Sequence, residues 1–571
     1  MKVEKSAPRS IAYFSMEVAL ESRLPTYSGG LGVLAGDMLR SAADLGLPMV
    51  GITLLHRKGY FLQRLDEEGC QYEEPVAWPV DQFLHLTDGR CQVEIEGRSV
   101  TVRAWQYLIT GASGTVVPVL LLDTDLPDND PYDRTLTDYL YGGDQRYRLC
   151  QEVILGVGGV RMLRAMGYTR IFRFHMNEGH AALLAVELLA AESKWSPERP
   201  QDAIDLVKRL CVFTTHTPLP AGHDQFSSDL AQCILSADQW QVLQTLVQPL
   251  GCCNGSLHMT CVGLHLSNYV NGVTKRHSEV SRTLFPDRAI GSITNGVHSA
   301  TWTAPVFCAL FDRYIPGWRE DSFLLRYALG IPLDAIQRAH DDAKQLLIQE
   351  VNRSANATFD PHAFTLGFAR RATAYKRPDL LFYDPERLKR IAARYGPLQV
   401  IFSGKAHPRD EEGKALIQTI FRRGKELAPE VRVAYLPNYD MELGLLLTSG
   451  TDLWLNTPQP PNEASGTSGM KAAHNGVPSL SVLDGWWLEV PVEGVTGWGI
   501  GSRNNGTVFE RQDDKDAEEL YSKLEDAILP LYYGEPLRWA ELMRFTIALN
   551  ASFFNTHRMI QEYVTHAYRD R

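Results

Sequence analysis

The sequence has no C-x-x-C pair and no H-E-x-x-H run, so the usual spacings of a zinc knuckle or a helical zinc site are missing. Its nine cysteines extend from Cys70 to Cys308, and Cys252 and Cys253 are adjacent, a poor layout for a dense disulfide frame. Reduced, mostly buried thiols and no metal site are expected. No apolar run is long enough for a bilayer: the longest, AALLAVELLAA at 181–191, is too short and is interrupted by Glu187. The start, MKVEKSAPRS, runs straight into IAYFSMEV without the apolar region and cleavage site of a signal peptide. A cytoplasmic location and no membrane partner are therefore expected. Positive charge is not in excess: 57 Lys+Arg against 68 Asp+Glu leave a net charge of −11, which excludes a dominant attraction to nucleic acid. Repeats, low-complexity tracts and charge blocks are lacking as well.

What is present is an ordinary globular composition, with 44% hydrophobic, 22% charged and 10% aromatic residues over 571 positions. At about 150 residues per domain, that length accommodates two large domains or three to four ordinary ones. Between 364 and 485, β-type runs (FTLGFA, LQVIFSG, VRVAYL, TDLWLN, PSLSVLD) alternate with helical stretches (PERLKRIAARYG, EEGKALIQTIFRRGKELA, MELGLLLTSG). This alternation predicts β-α-β units on a parallel sheet, with ligands beyond the carboxyl ends of the strands. The first half is also α/β. It has a glycine loop, a helix and a strand over 27–55, a hairpin-like CQVEIEGRSVTVRAWQYL, a strand IFRFHMN, a helix EGHAALLAVELLAAESK and a strand LCVFTTHTP. The expected division is 1–305, 306–545, and a C-terminal helix within 546–571 that packs back on the first half.

Three segments carry chemistry. In EASGTSGMKAA (463–473), small residues permit close backbone approach, and a helix beginning near Thr467 or Ser468 offers free N–H groups to an anion, with Lys471 beside them. A lysine next to a fixed phosphate can form a Schiff base with pyridoxal phosphate, whereas a nucleotide loop would need Ser or Thr where Ala472 stands. A glycine-rich turn capping a core helix is the alternative. The second segment, Arg370-Arg371-Ala-Thr-Ala-Tyr375-Lys376-Arg377, follows the strand FTLGFA, where clustered cations call for an anion or a carboxylate. The other possibility is a solvated helix start, with Arg377 its first candidate. The third, Tyr27 to Gly32, is a backbone nest for a further anion.

With YFSMEVALESRLPTYSGGLGVLAGDML (13–39), HMNEGHAALL (175–184), THTPLPAGHD (215–224), YVNGVTKRHS (269–278), ITNGVH (293–298), RRATAYKR (370–377) and EASGTSGMKAAHNG (463–476) in this order, the chain resembles the α-glucan (glycogen, maltodextrin or starch) phosphorylases in their short bacterial form. The resemblance implies two Rossmann-like domains facing across a cleft, the GT-B type of glycosyltransferase fold. It implies phosphorolysis of α-1,4-glucans or maltooligosaccharides by inorganic phosphate, with retention, to α-glucose 1-phosphate. The cofactor it implies is pyridoxal 5'-phosphate, whose phosphate acts as a proton relay. A second copy of the chain is the protein partner it suggests.

By position, Lys471 matches the cofactor lysine. Arg370, Thr467 and Ser468 match residues around the cofactor phosphate, and Tyr439 one near its ring. Arg371 and Lys376 match the pair on the substrate phosphate, with the Gly30 N–H. Glu463, Ser465, Gly466, Asn295 and His216 match the glucose pocket, where the His216 carbonyl stabilises positive character on the sugar and Glu178 faces the far side. Departures are Arg370 for a lysine, Ser28 for Asn, and His474 at a place that is usually apolar, where it is read as a satisfied core histidine. The beginning near YFSMEV leaves no room for the animal enzymes' N-terminal control region, so allosteric regulation of that kind is not expected. The rival readings are a nucleotide-sugar glycosyltransferase like glycogen synthase, a glycosidase using Glu178 and Glu463, and a non-catalytic glucan-binding protein.

Overall fold

A computed structural model describes residues 10–192, 200–219, 222–250, 256–355, 357–502 and 511–569. The first sheet is built from β1 (Ser10–Ser15) and β2 (Met49–Leu54), with a separate small hairpin, β3 (Leu62–Leu65) and β4 (Gln71–Glu74), inserted after them. It continues with β5 (His85–Ile95), β6 (Arg98–Thr110), β7 (Val116–Asp123), β8 (Ile171–Asn177) and β9 (Cys211–Thr214). A second small pair, β10 (Gln225–Ser227) and β11 (Ser256–His258), precedes β12 (Tyr269–Gly272) and β13 (Gly291–Ser292). The nine strands lie in the order β13-β12-β9-β8-β1-β2-β7-β6-β5. All neighbours from β13 to β7 are parallel, and β7-β6-β5 are antiparallel. β1 and β2 are apolar runs without alternation because helices cover both of their faces, whereas β5 alternates towards solvent. The hairpin expected from CQVEIEGRSV is there. Its two-residue turn is Glu96-Gly97, both at positive φ (53° and 72°), the geometry that matches strand twist.

The second sheet contains β14 (Phe364–Ala369), β15 (Leu398–Ser403), β16 (Val431–Leu436), β17 (Leu453–Asn456), β18 (Ser479–Val482) and β19 (Gly497–Ile500), all parallel, in the order β16-β15-β14-β17-β18-β19. The fold is therefore mixed α/β with parallel sheets. Strand order reverses between β14 and β17, and such a reversal opens a crevice beyond the carboxyl ends of the strands. The helices packed against the two sheets include α1 (Gly30–Asp44), α2 (Lys275–Leu284), α3 (Thr467–His474) and α4 (Thr556–His566).

Several contacts tie the two sheets together. The β3–β4 hairpin, from the first half of the chain, lies on the second sheet: Gln63 Nε2 donates to the Gly404 carbonyl (2.9 Å), and the Ala406 N–H donates to Gln71 Oε1 (3.0 Å). Ala19, Val33, Trp302, Met441, Met470, Trp486 and Phe554 form an apolar cluster that joins both halves.

The C-terminal stretch is not the single helix expected from the sequence. A wide helical turn ends at Ala551, and the chain then extends to Asn555, whose side chain caps α4 by accepting the Arg558 N–H (2.9 Å). The break frees backbone groups for pairing with Val297: its N–H donates to Phe554 O (3.2 Å), and Thr556 N–H donates to Val297 O (3.0 Å). α4 and the residues after it lie against the first half, through Ser41 with Thr556 (2.5 Å) and His175 with Tyr568 (2.6 Å). The expected helix from 178 is also interrupted, since Glu178 takes φ 75° and the regular part is Leu183–Ala190; residues 193 and 194 of it fall outside the described residues. Among the described residues, Cys70, Cys91, Cys150, Cys211, Cys233 and Cys308 are free thiols; with Cys261, three of the seven are buried, three half-buried and one exposed, so thiol burial is less complete than expected. Cys252 and Cys253 fall outside the described residues. Among the described residues, no helix is long and apolar enough to cross a membrane.

Candidate active site

β14 ends at the reversal of strand order, so the residues after it project into the crevice. Arg370 Nη2 and Lys376 Nζ converge on one carboxylate oxygen, Glu463 Oε2, at 2.7 and 2.5 Å. All three side chains are buried. Burial alone would raise the Glu463 carboxyl, but Arg370 and Lys376 outweigh it and hold the group ionised below its ordinary value. Arg370 Nη1 is buried without a partner, as are Asn456 Oδ1 at the end of β17 and Thr373 Oγ1. Arg371 has no ion pair among the described residues. It is exposed, and Tyr375, Tyr60, Glu17 and Tyr141 are near enough for their charges to favour its guanidinium. Arg377, the first candidate of the alternative reading as a solvated helix start, is not solvated. Its φ of 45° turns it beneath the 457–458 loop, where it is 2% exposed, pairs with Asp513 (2.8 Å) and Asp516 (2.7 Å) and donates to the Thr457 and Pro458 carbonyls.

The loop from Glu463 to Gly466 is held by the turn after β18. The Glu463 N–H donates to Asp484 Oδ2 (2.9 Å), the Gly485 N–H to Asp484 Oδ1 (2.9 Å), and the Trp486 N–H to the Ser465 carbonyl (2.9 Å). Burial, with the neighbouring Glu463 charge, pushes the Asp484 carboxyl up to about 7, against the two N–H donors. Ser465 Oγ is buried and unpartnered. Gly466 takes φ 87° ahead of α3, which begins at Thr467 with no side-chain cap, so no capping side chain satisfies its first N–H groups. Ser468 Oγ accepts from Trp454 Nε1 (3.1 Å).

Lys471, one turn further along α3, is buried with its Nζ 3.5 Å from the centroid of the Trp302 ring. Among the described residues it has no hydrogen bond or ion pair through Nζ. Burial pulls this ammonium down to about 8, against the attraction of Asp37, and Asp37 in turn accepts from Trp302 Nε1 (2.8 Å). Tyr439 is half-buried over the helix that starts at Met441; burial raises its phenol, and Arg370 opposes the rise. His474 donates from Nδ1 to the Met470 carbonyl (2.8 Å) and accepts from Ser299 Oγ at Nε2 (2.9 Å). Burial moves it down to about 4, a neutral and fully satisfied core histidine.

The first half of the chain brings further residues to these segments, as the Thr274–Ala464 hydrogen bond shows. The nest at Tyr27–Gly32 is partly filled by the protein itself: Glu17 Oε2 accepts the N–H groups of Ser28 (2.5 Å) and Gly29 (3.2 Å), and Glu17 Oε1 accepts from Tyr141 OH (2.9 Å). Gly30 opens α1 and is exposed, and a Cβ there would meet nothing within 4 Å. At the end of β8, the buried Glu178 accepts from the N–H of Gly179 (3.1 Å), the N–H of His216 (2.7 Å) and Thr217 Oγ1 (3.1 Å). His216 donates from Nε2 to Asn177 Oδ1 (2.5 Å), and burial pulls it down to about 3, so its ring is neutral. Asn295 N–H donates to the Val273 carbonyl (3.0 Å), while its Oδ1 is buried without a partner. Thr274 Oγ1 donates to the Ala464 carbonyl (2.8 Å), which sets the segment carrying Asn295 against the Glu463–Gly466 loop.

Sequence reasoning missed Glu17, Asp484 and Trp302. Glu17 had a signal, a lone acid in the apolar run before a glycine loop; Asp484 and Trp302 had none, because their partners lie 21 and 169 residues away.

Residues 244–497 match the family described as carbohydrate phosphorylase. Similar proteins include a glycogen phosphorylase of Mycobacterium tuberculosis, 38% identical over 99% of this chain and 71% of its own length. A maltodextrin phosphorylase of Thermococcus litoralis is 38% identical over 98% of this chain and 70% of its own length. A glycogen phosphorylase of Aquifex aeolicus is 33% identical over 99% and 87% respectively. Similarity at this level runs the length of both strand systems and takes in the cations after β14 as well as the loop before α3; the chain belongs to the α-glucan phosphorylase family.

Proposed function

We propose that this enzyme cleaves α-1,4-glucans such as maltodextrin or glycogen with inorganic phosphate, releasing α-glucose 1-phosphate with retention and leaving a chain one unit shorter. The observation that carries the reading is the buried cation pair on Glu463 with unpaired Arg371 beside it, at the strand-order reversal of the second sheet. Two domains of Rossmann type, 1–305 and 306–545, would face each other across this crevice with 546–571 returning to the first. The order β16-β15-β14-β17-β18-β19, which places the first strand at the centre, supports that description of the second.

Arg371 and Lys376, with the Gly30 N–H, would bind the substrate phosphate. Glu463, Ser465, Gly466 and Asn295 would take the glucose hydroxyls. The unpartnered Ser465 Oγ and Asn295 Oδ1 are the groups a sugar hydroxyl would satisfy. Glu178 would fix His216 through its N–H and so aim the His216 carbonyl at the sugar. Inorganic phosphate protonates the leaving glycosidic oxygen and then gives one oxygen to the anomeric carbon, on the face the leaving group has vacated. The cations hold the phosphate charge in place while positive character develops on the ring.

Pyridoxal phosphate fits the residues present. Lys471 is buried, unbonded at Nζ and partly neutral near pH 8, and the uncapped start of α3 with the orphaned Arg370 Nη1 suits a phosphate. Lys471, Arg370, Thr467, Ser468 and Tyr439 would hold it. When bound, its phosphate would supply a proton-exchanging acid beside the substrate phosphate. A hydrolytic mechanism on Glu178 and Glu463 is disfavoured, because Glu463 is held ionised by two cations and Glu178 already accepts three hydrogen bonds.

The test is incubation with maltodextrin with and without phosphate, assaying glucose 1-phosphate and its anomeric configuration, and borohydride reduction with peptide mapping. Phosphate-dependent α-glucose 1-phosphate and a label on Lys471 are expected. Glucose release without phosphate would promote the glycosidase reading, and transfer that requires a nucleotide sugar would promote the synthase reading.

A further inference from the structure

Away from the crevice, three segments far apart in the chain meet behind the Asn295 loop. They are the last residue of α1, Asp44; His298, just ahead of the helical turn Ser299–Trp302; and His557 in the first turn of α4. We propose that Asp44, His298 and His557 form a binding site for a divalent transition cation of the zinc type. One ligand atom from each residue lies within 4.8 Å of the other two. His298 Nε2 is 2.7 Å and His557 Nε2 3.2 Å from the same oxygen, Asp44 Oδ2. Ligand atoms on a tetrahedral ion with bonds of about 2.0–2.1 Å stand about 3.3 Å apart, so admitting an ion needs only a small opening of this triangle.

The outer atoms are arranged as a metal site arranges them. His298 Nδ1 meets Thr301 Oγ1 (2.7 Å), His557 Nδ1 meets Ser322 Oγ (3.2 Å), and Asp44 Oδ1 accepts the Ala112 N–H (2.7 Å). Without an ion, each Nε2–H donates to Asp44 Oδ2 and each Nδ1 accepts from its hydroxyl; because a hydroxyl can turn from donor to acceptor, the same partners would hold the Nδ1–H tautomer once an ion takes the Nε2 lone pairs. Charge argues the same way. The Asp44 carboxylate is 8% exposed, and among the described residues no Lys or Arg pairs with it. Its polar partners are the two imidazoles themselves, and a divalent cation set among the three would give the carboxylate a fixed counter-charge. Two imidazoles and a carboxylate suit zinc better than magnesium or calcium. The expectation of no metal came from sequence spacing, and spacing is blind to ligands at 44, 298 and 557.

The purified holoenzyme, stripped with a chelator and titrated with Zn²⁺ alone, is expected to take up one ion per chain. Its Tm should fall on chelation and recover with Zn²⁺. Co²⁺ in the same site should give visible d–d bands and two paramagnetically shifted imidazole N–H resonances. His557→Ala should lose stoichiometric uptake and the bands. Absence of uptake at one ion per chain, or uptake and bands unchanged in His557→Ala, overturns the site and leaves a hydrogen-bonded Asp–His pair. Should that variant not fold, the wild-type Co²⁺ spectrum decides alone, and absence of the two shifted N–H resonances overturns the proposal.

Discussion

Arg371 and Lys376 match the same task, yet their surroundings set them apart. Arg371 has no ion pair among the described residues, so on the proposed function Arg371→Ala would remove a contact to phosphate and little else. A charge-assisted hydrogen bond of roughly 1.5–3 kcal/mol predicts a loss of about ten- to more than a hundredfold in phosphate kcat/KM, with maltodextrin affinity nearly unchanged. Lys376→Ala should show the same phosphate defect together with a lower Tm, because it leaves the buried Glu463 with Arg370 alone. Equal Tm in the two variants would contradict that difference.

Asp484 carries a pH dependence of its own. Its carboxyl rises to about 7 in the fold from near 3.8 in the unfolded chain, so between these values the folded state binds the extra proton and stability falls as pH rises. Asp484→Asn should flatten the decline between about pH 4 and 7 in denaturant titrations, by up to about 4 kcal/mol at roughly 1.4 kcal/mol for each pH unit of that interval. An unchanged slope would mean that Asp484 is ionised throughout.

Among the elements, the short turn at 484–488 fixes the Glu463–Gly466 loop, which the proposed function sets against the glucose, and Gly485 is its pivot. Its φ is 56°, and a Cβ there would lie 2.4 Å from the Ser465 carbonyl oxygen. Gly485→Ala is therefore expected to cost about 1–2 kcal/mol in backbone conformation, to displace Ser465, and to raise KM for the glucan more than for phosphate; steady-state kinetics with each substrate varied checks it. Five of the six strands of the second sheet were legible in the sequence, FTLGFA and VRVAYL to the residue: FTLGFA because a fully buried parallel strand is an uninterrupted apolar run between helical patterns, VRVAYL because it lies between two such patterns although its edge position leaves Arg432 exposed; the sixth, Gly497–Ile500, is too short and glycine-rich to stand out. The start of α3 was legible for a local reason too, since Gly466 must adopt positive φ. The break before α4 was not: it exists so that Val297 can pair with residues more than 250 positions away, and no local pattern carries that information. The same holds within the site. The cations after β14 announced themselves as a cluster, while the carboxylate that neutralises two of them lies 87 residues downstream of Lys376.

The whole molecule is interlocked. The β3–β4 hairpin reaches from the first half onto the second sheet, where a side chain at Gly69, at φ 81°, would strike the Phe421 ring at 2.4 Å. Contacts of this kind couple the stability of both halves, so a single calorimetric transition is expected for the intact protein. Replacing residues 62–74 with a short Gly/Ser linker should split that transition in two; a single transition surviving the replacement would locate the coupling elsewhere. Synthesis on the ribosome adds a consequence of its own. His175 and Thr214 in the first sheet hydrogen-bond Tyr568 and Tyr563, residues made some 350 or more positions later. At roughly 5–20 residues per second, their partners are made roughly 20–70 seconds or more after the strands that need them. For that interval the nascent first half carries a bare groove where α4 will lie, open to chaperones and to other nascent chains until the end of translation closes it.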